Sequence, residues 1–149
     1  MTDIRIRAAR PSDHARILAV CDDWWGRPVA DLLPRLFLDH FHATSLTAEA
    51  GEELAGFLVG FGSPSDVEAA YVHFAGVAPE HRRSGLAGEL YRRFTDAARA
   101  QGRSVVRAIT SPANERSIAF HRAIGFTVTG PHKDYDGPGV DRMVFELRL

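Results

Sequence analysis

The sequence predicts an α/β fold, a mixed sheet covered by helices, on three observations. Runs of apolar–polar alternation and runs of helical apolar periodicity take turns along the chain, so strands and helices alternate. Two strand-like runs in the middle are joined by Gly51-Glu52-Glu53, a local hairpin inside that alternation. The length, 149 residues with 45% apolar and 25% charged side chains, suits one domain with a substantial core. No repeat, low-complexity tract or linker interrupts the chain, so the predicted domain is residues 1–149.

The elements follow in order. "DIRIRAA" alternates with the period of a half-buried strand, and Ser12 or Asp13 in "RPSDHARIL" caps a helix running towards Trp25. "VADLLPRLFLDHF" places Leu32, Leu33, Leu36, Phe37 and Phe41 at helical spacing, a second helix with Pro34 in its first turn or at a kink. "TSLTAEA" and "LAGFLVGFG" form the hairpin, and "EAAYVHFAGV" is a strand stopped by Pro79. From Gly85 to Gln101, steps of about 100° gather Leu86, Ala87, Leu90, Tyr91, Phe94, Ala97 and Ala98 on one face. Glu89, Arg92, Arg93, Thr95, Asp96 and Arg99 share the other face, and Gly102 ends the helix. "SVVRAIT", "FTVTG" and "RMVFELRL" supply the later strands around a helix in "NERSIAFHRAIGF". The predicted order is β-α-α-β-β-β-α-β-α-β-β.

Bulk properties narrow the function. A net charge of −1 gives no global reason to expect nucleic acid or a membrane as partner. The lone Cys21 excludes an internal disulfide framework and favours a reducing compartment. His40 and His42 stand without further ligands, so no metal is expected. The opening "MTDIRIRAARPSD" has no apolar signal core, and no apolar run approaches the roughly 18 residues of a membrane span. The expected location is cytoplasmic.

Two segments carry chemistry. In "VAPEHRRSGLAGELY" a strand and a turn lead into Arg82-Arg83-Ser84-Gly85 at a helix start, where unpaired N–H groups and the helix dipole suit an anion. Gly85 lacks a Cβ and opens the backbone to a ligand, while Leu86 turns inward. A charged helix start without a ligand is the alternative, and no Gly-Lys-Ser/Thr follows to make a nucleotide loop. In "NERSIAFHRAIGF", Asn114, Ser117 and His121 run down the middle of an otherwise apolar stripe. They are either core groups that satisfy one another or, as three in line suggest, a helix edge facing a ligand cleft.

Together these segments resemble the GNAT superfamily of acetyl-coenzyme A-dependent N-acetyltransferases. The family pattern Arg/Gln-x-x-Gly-x-Gly/Ala after a strand ending Val-x-Pro is met from Val77 to Ala87, and the later Asn…Ser…Phe…Gly-Phe pattern by Asn114, Ser117, Phe120, Gly125 and Phe126. The resemblance implies a mostly antiparallel sheet with splayed middle strands and about four flanking helices. It implies that main-chain N–H groups of Arg82, Arg83, Ser84, Gly85, Leu86 and Ala87 hold the coenzyme pyrophosphate. Main chain near Phe74 to Val77 would pair with the pantetheine arm, and the N–H of Val77 or Ala78 would polarise the acetyl oxygen. Asn114 and Ser117 would contact the coenzyme from the other side. His121 stands where many relatives have a tyrosine that protonates the departing thiolate; it takes that role or packs on the coenzyme.

For the acceptor, a primary amine must shed a proton before it attacks, and Glu68, Tyr71 and His73 are the candidate bases, with Tyr71 and His73 on one strand face. Asp22, Trp24 and Trp25 are candidate acceptor-pocket residues, one tryptophan being core and the other pocket or interface. Asp134, Asp136 and Asp141 in "KDYDGPGVD" fit a turn first and a greeting surface for a basic acceptor second. The predicted activity is acetyl transfer from acetyl-CoA to an amine of a small molecule or a protein by direct attack. The competing prediction is a catalytically weak acyl-CoA-binding sensor of the same fold, and a homodimer is a further expectation.

Overall fold

The computed structural model describes residues 3–149. Its strands are β1 (Ile4–Ala8), β2 (Leu46–Ala50), β3 (Glu53–Gly62), β4 (Ala69–Val77), β5 (Val105–Thr110), β6 (Thr127–His132) and β7 (Arg142–Arg148). Its α-helices are α1 (Asp13–Trp25), α2 (Leu36–Phe41), α3 (Leu86–Ala100) and α4 (Glu115–Ala123). This is the order read from the sequence. The sheet runs β1-β2-β3-β4-β5-β7-β6. β4 and β5 pair in parallel, whereas β1 with β2, β2 with β3, β5 with β7 and β6 with β7 pair antiparallel.

The chain forms two compact units. One takes residues up to Phe61 together with Val72–Ala97; the other takes Gly62–Tyr71 with Ala98–Leu149. In the first, Ile17 and Cys21 of α1, Leu33, Leu38 of α2, Phe57 and Val59 of β3 and Phe74 of β4 make the buried core. Gly56 lets α3 dock: a Cβ there would sit 3.3 Å from Leu86, 3.4 Å from Leu90 and 3.1 Å from the Gly76 carbonyl oxygen. The start of α1 buries a carboxylate. Asp13 accepts the Arg7 guanidinium at 2.9 and 3.0 Å and the Arg10 N–H at 2.8 Å, and Arg7 and Arg16 both continue to Glu49. Burial pushes the Asp13 pKa up, but the Arg7, Arg10 and Arg16 contacts outweigh it and hold the group below the usual carboxylate range.

In the second unit, Phe145 of β7 and Val106 of β5 are fully buried at the centre. The turn before β4 is tied down by Arg103, whose Nη1 reaches the carbonyl oxygens of Ser63, Asp66, Val67 and Ala69 at 2.9–3.3 Å.

Two local expectations are corrected. The run from Leu32 to Phe41 is not one helix: a 3-10 turn, Ala30–Leu32, precedes a non-helical Leu33 (φ −123°, ψ 76°), and α2 starts only at Leu36. Pro34 bars the residue before it from helical geometry, which leaves Leu33 and Leu38 buried but Leu32 and Leu36 about half exposed. On α3, Thr95 is buried and Ala97 exposed, the reverse of the angular assignment; the Thr95 hydroxyl is satisfied by donating to the Arg92 carbonyl.

Candidate active site

Beyond β4 the chain makes a 3-10 turn, Pro79–His81, and crosses to α3 through Arg82–Gly85. Arg83 (φ 70°) and Gly85 (φ 83°) both take left-handed backbone. Within the described residues, the N–H groups of Arg83, Ser84, Gly85 and Ala87 donate no hydrogen bond, whereas Arg82 N–H goes to the Pro79 carbonyl and Leu86 N–H to Ser84 Oγ at 3.4 Å. Nothing lies within 4 Å of where a Gly85 Cβ would be, so the loop opens outward there. Leu86 is buried, as its inward anchoring requires. The Arg82 side chain turns away from this loop. It donates through Nε to the Val77 carbonyl (3.3 Å) and through Nη2 to the Trp24 carbonyl (2.5 Å), tying the loop to β4 and to the end of α1.

The parallel ladder of β4 with β5 covers only Ala69–Tyr71, so Val72–Val77 run on beyond it. Burial alternates along β4: Val72 and Phe74 are buried, while Tyr71, His73, Ala75 and Val77 share the more open face. Of the two N–H groups considered for polarising an acyl oxygen, that of Ala78 is committed to the Ala55 carbonyl at 2.8 Å, which leaves Val77. Glu68 precedes β4 and is exposed, so it is not on the strand face. Tyr71 is a neutral phenol, its pKa pushed up to about 12 chiefly by burial. His73 is held on two sides. Its Nε2–H donates to the Leu32 carbonyl at 2.5 Å, and its ring stacks on Phe37 with centroids 3.9 Å apart and planes 1° from parallel. Burial lowers its pKa against a smaller opposing effect of the Leu32 carbonyl, so the ring is neutral at pH 7.

On α4 the polar streak is linked within its own unit. Asn114 is the N-cap, its Oδ1 accepting Ser117 N–H at 3.3 Å and its Nδ2 donating to Thr110 Oγ1 at 3.1 Å. His121 Nδ1–H donates to the Ser117 carbonyl at 2.7 Å, with Ser117 Oγ 3.3 Å away. Its ring stacks on Phe145 at 4.0 Å and meets Phe126 edge-on at 5.1 Å. Burial drives the His121 pKa down to about 4. A neutral imidazole N–H is too weak an acid to protonate a thiolate, so this environment favours packing over the acid role.

Other expected acceptor residues make contacts within the fold. Asp22 Oδ1 accepts the N–H groups of Val29 (2.7 Å) and Ala30 (3.0 Å), fixing the connection after α1. Both tryptophans are partly buried on the core, Trp24 stacked on Phe57 at 5.9 Å and Trp25 on Phe74 at 4.6 Å. The three acids of the β6–β7 connection hold its turn: Asp134 accepts Gly139 N–H, Asp141 accepts Asp134 N–H, and Asp136 pairs with Arg142. Phe37 and the Leu32 carbonyl were missed by sequence reasoning, because no local pattern shows which side chain will cover a strand histidine. Among the described residues no three His, Cys, Asp or Glu side chains gather as metal ligands, and no helix is long and apolar enough to cross a membrane.

The pattern of the Acetyltransferase (GNAT) family matches residues 13–126, about three quarters of the chain. The chain belongs to the GNAT acetyltransferase family. As a GNAT protein it is an acyltransferase, and its sheet and four helices are those of the family fold. It is 28% identical over 139 residues to the L-methionine sulfoximine/L-methionine sulfone acetyltransferase of Pseudomonas aeruginosa, covering 84% of this chain and 81% of that one. A GNAT-family structure from Desulfovibrio desulfuricans superposes with a TM-score of 0.81 at 20% identity, over 99% of both chains. The diaminobutyrate acetyltransferase of Paenibacillus lautus, solved with L-2,4-diaminobutyric acid and coenzyme A, superposes with a TM-score of 0.77 at 23% identity, over 99% of this chain and 96% of that one.

Proposed function

We propose that this GNAT protein transfers an acetyl group from acetyl-CoA to a primary amine of a small molecule by direct attack. The observation that carries the coenzyme half is the run of uncommitted N–H groups at Arg83, Ser84, Gly85 and Ala87, which suits an anion such as a pyrophosphate. The main chain of β4 beyond its ladder, from Val72 to Val77, suits an amide-bearing arm, and Val77 N–H suits the acyl oxygen. When bound, acetyl-CoA supplies the activated acyl group, so no covalent enzyme intermediate is required. Relatives acting on methionine sulfoximine and diaminobutyrate support a small amine or amino acid as acceptor. His73, neutral and on the open face of β4, is the base of this reading; Tyr71 at neutral pH has no phenolate to offer.

Thiol release from acetyl-CoA across a panel of small amines and amino acids tests the reading, with amine-dependent release as the expected result. The neutral state of His121 favours one competitor, an acyl-CoA sensor without its thiolate acid. Tight coenzyme binding with no thiol release from any amine would establish that competitor instead. Coenzyme binding undiminished by a bulky Gly85→Val change would sink the pyrophosphate seat.

A further inference from the structure

We propose that Phe37 is the positioning residue for His73, holding its ring against the Leu32 carbonyl so that Nδ1 is the lone pair offered to the acceptor amine. The inference rests on the amine-transfer reading above and assigns the residues that make His73 usable in it. A carbonyl oxygen only accepts, so the 2.5 Å contact to Leu32 places the ring proton on Nε2. Nδ1 is then the unprotonated nitrogen, and it makes no hydrogen bond among the described residues. The Phe37 ring, parallel to the imidazole at 3.9 Å, blocks rotation about the last side-chain bond that would exchange the two nitrogens.

The hold comes from a segment shaped for it. The break at Leu33 and Pro34 turns the Leu32 carbonyl out of helical pairing and starts α2 so that Phe37 lies over the strand. Phe37 is backed by Phe41 at 6.0 Å and Phe61 at 6.5 Å, and Phe41 stacks on Phe61 at 4.6 Å, so the clamp rests on a rigid aromatic base. Along β4, Ala75 is the small residue between His73 and Val77 on the same face. Among the described residues, the groups in contact with His73 are uncharged: the Leu32 carbonyl and the Phe37 and Phe74 rings. The charged residues of the covering segment are Asp31, Arg35 and Asp39, of which Arg35 and Asp39 pair with each other at 3.2 Å. In the step itself, the amine nitrogen bonds to the acyl carbon, the carbon–sulfur pair leaves with sulfur, and the surplus N–H proton passes to Nδ1 directly or through one water. The imidazolium then returns it to solvent.

The test combines nitrogen-15 NMR of the histidine rings in the full chain with steady-state kinetics, His73 being assigned by difference from His73→Gln. The wild type is expected to show His73 as the Nε2–H tautomer, titrating below its ordinary value. Phe37→Leu is expected to mix the tautomers, raise the titration towards about 6.5 and lower kcat about tenfold, with KM for acetyl-CoA within about twofold. The acid limb of the kcat profile should move up with it, and Phe37→Tyr should restore all three. An Nδ1–H tautomer in the wild type, or an unchanged tautomer and titration in Phe37→Leu, would overturn the proposal, and the wild-type spectrum decides even where the variant does not fold. Absence of turnover with every amine would sink the amine-transfer reading instead, while the NMR still reports whether Phe37 holds the ring.

Discussion

The guanidinium of Arg82 lies 2.5 Å from the carbonyl oxygen of Trp24, so the first residue of the loop between β4 and α3 is fastened to the last turn of α1. The side chain braces the loop, and in the function proposed above the backbone faces the coenzyme. Arg82→Ala is therefore expected to lower stability by about 1.5–3 kcal/mol, the range for hydrogen bonds from a charged group, and to weaken coenzyme binding. Arg83 is exposed and left-handed at φ 70°, so Arg83→Gly should relieve strain and stabilise by up to about 1 kcal/mol. Urea unfolding and coenzyme titration calorimetry on the two variants check both signs.

His121 makes stability fall on the acid side. Its folded pKa of about 4 lies below the ordinary 6.5, so the unfolded chain takes up a proton that the native state refuses. The contribution is whole above pH 6.5 and is lost as pH falls to 4, about 3 kcal/mol over that window. Asp13, also depressed, adds a further loss only below the usual carboxylate range. Denaturant unfolding between pH 7 and 4 should show the first slope in the wild type and its loss in His121→Phe, which keeps a ring on Phe145.

The same histidine shows how far the sequence carries. Periodicity placed His121 on the buried stripe of α4, and it is buried there. What periodicity does not contain is the partner across the core: Phe145 lies on β7, 24 residues away, and only the assembled unit shows that burial keeps the imidazole neutral. Element order was legible because each strand and helix states its period locally. Pro34 warned of a break, yet the exposure of Leu32 and Leu36 depended on where the chain resumed. The open approach to the backbone at Gly85 was legible from residue type, whereas the bonding of the Arg82 and Asp22 side chains was tertiary and was not.

Two glycines should respond to alanine with opposite signs. A Cβ at Gly76 would sit 2.4 Å from the Trp25 ring and 3.3 Å from Phe57, a rigid aromatic wall. Gly76→Ala should cost about 1–3 kcal/mol through overpacking. Gly88, inside α3 with nothing within 4 Å of its Cβ position, should gain about 0.5–1 kcal/mol on the same change through helix propensity. Thermal unfolding of the pair reads the difference directly, and equal shifts would contradict the packing described.

Arg103 and Gly62 should behave as one unit. The guanidinium Nη1 meets four carbonyl oxygens of the turn before β4, more acceptors than it has hydrogens, so the attraction is shared and largely that of a charge among aligned carbonyl dipoles. Lysine supplies a charge and three hydrogens at a similar reach, so Arg103→Lys should lose less than half of what Arg103→Ala loses, about 1.5–3 kcal/mol. A Cβ on Gly62 would fall 2.2 Å from Arg103 Nη2 and would push the guanidinium off its carbonyls. Gly62→Ala should then be destabilising in the wild type and nearly silent in the Arg103→Ala background. A double-mutant cycle by urea unfolding should return a coupling of at least about 0.5 kcal/mol, whereas additive losses would mean that the arginine does not hold the turn.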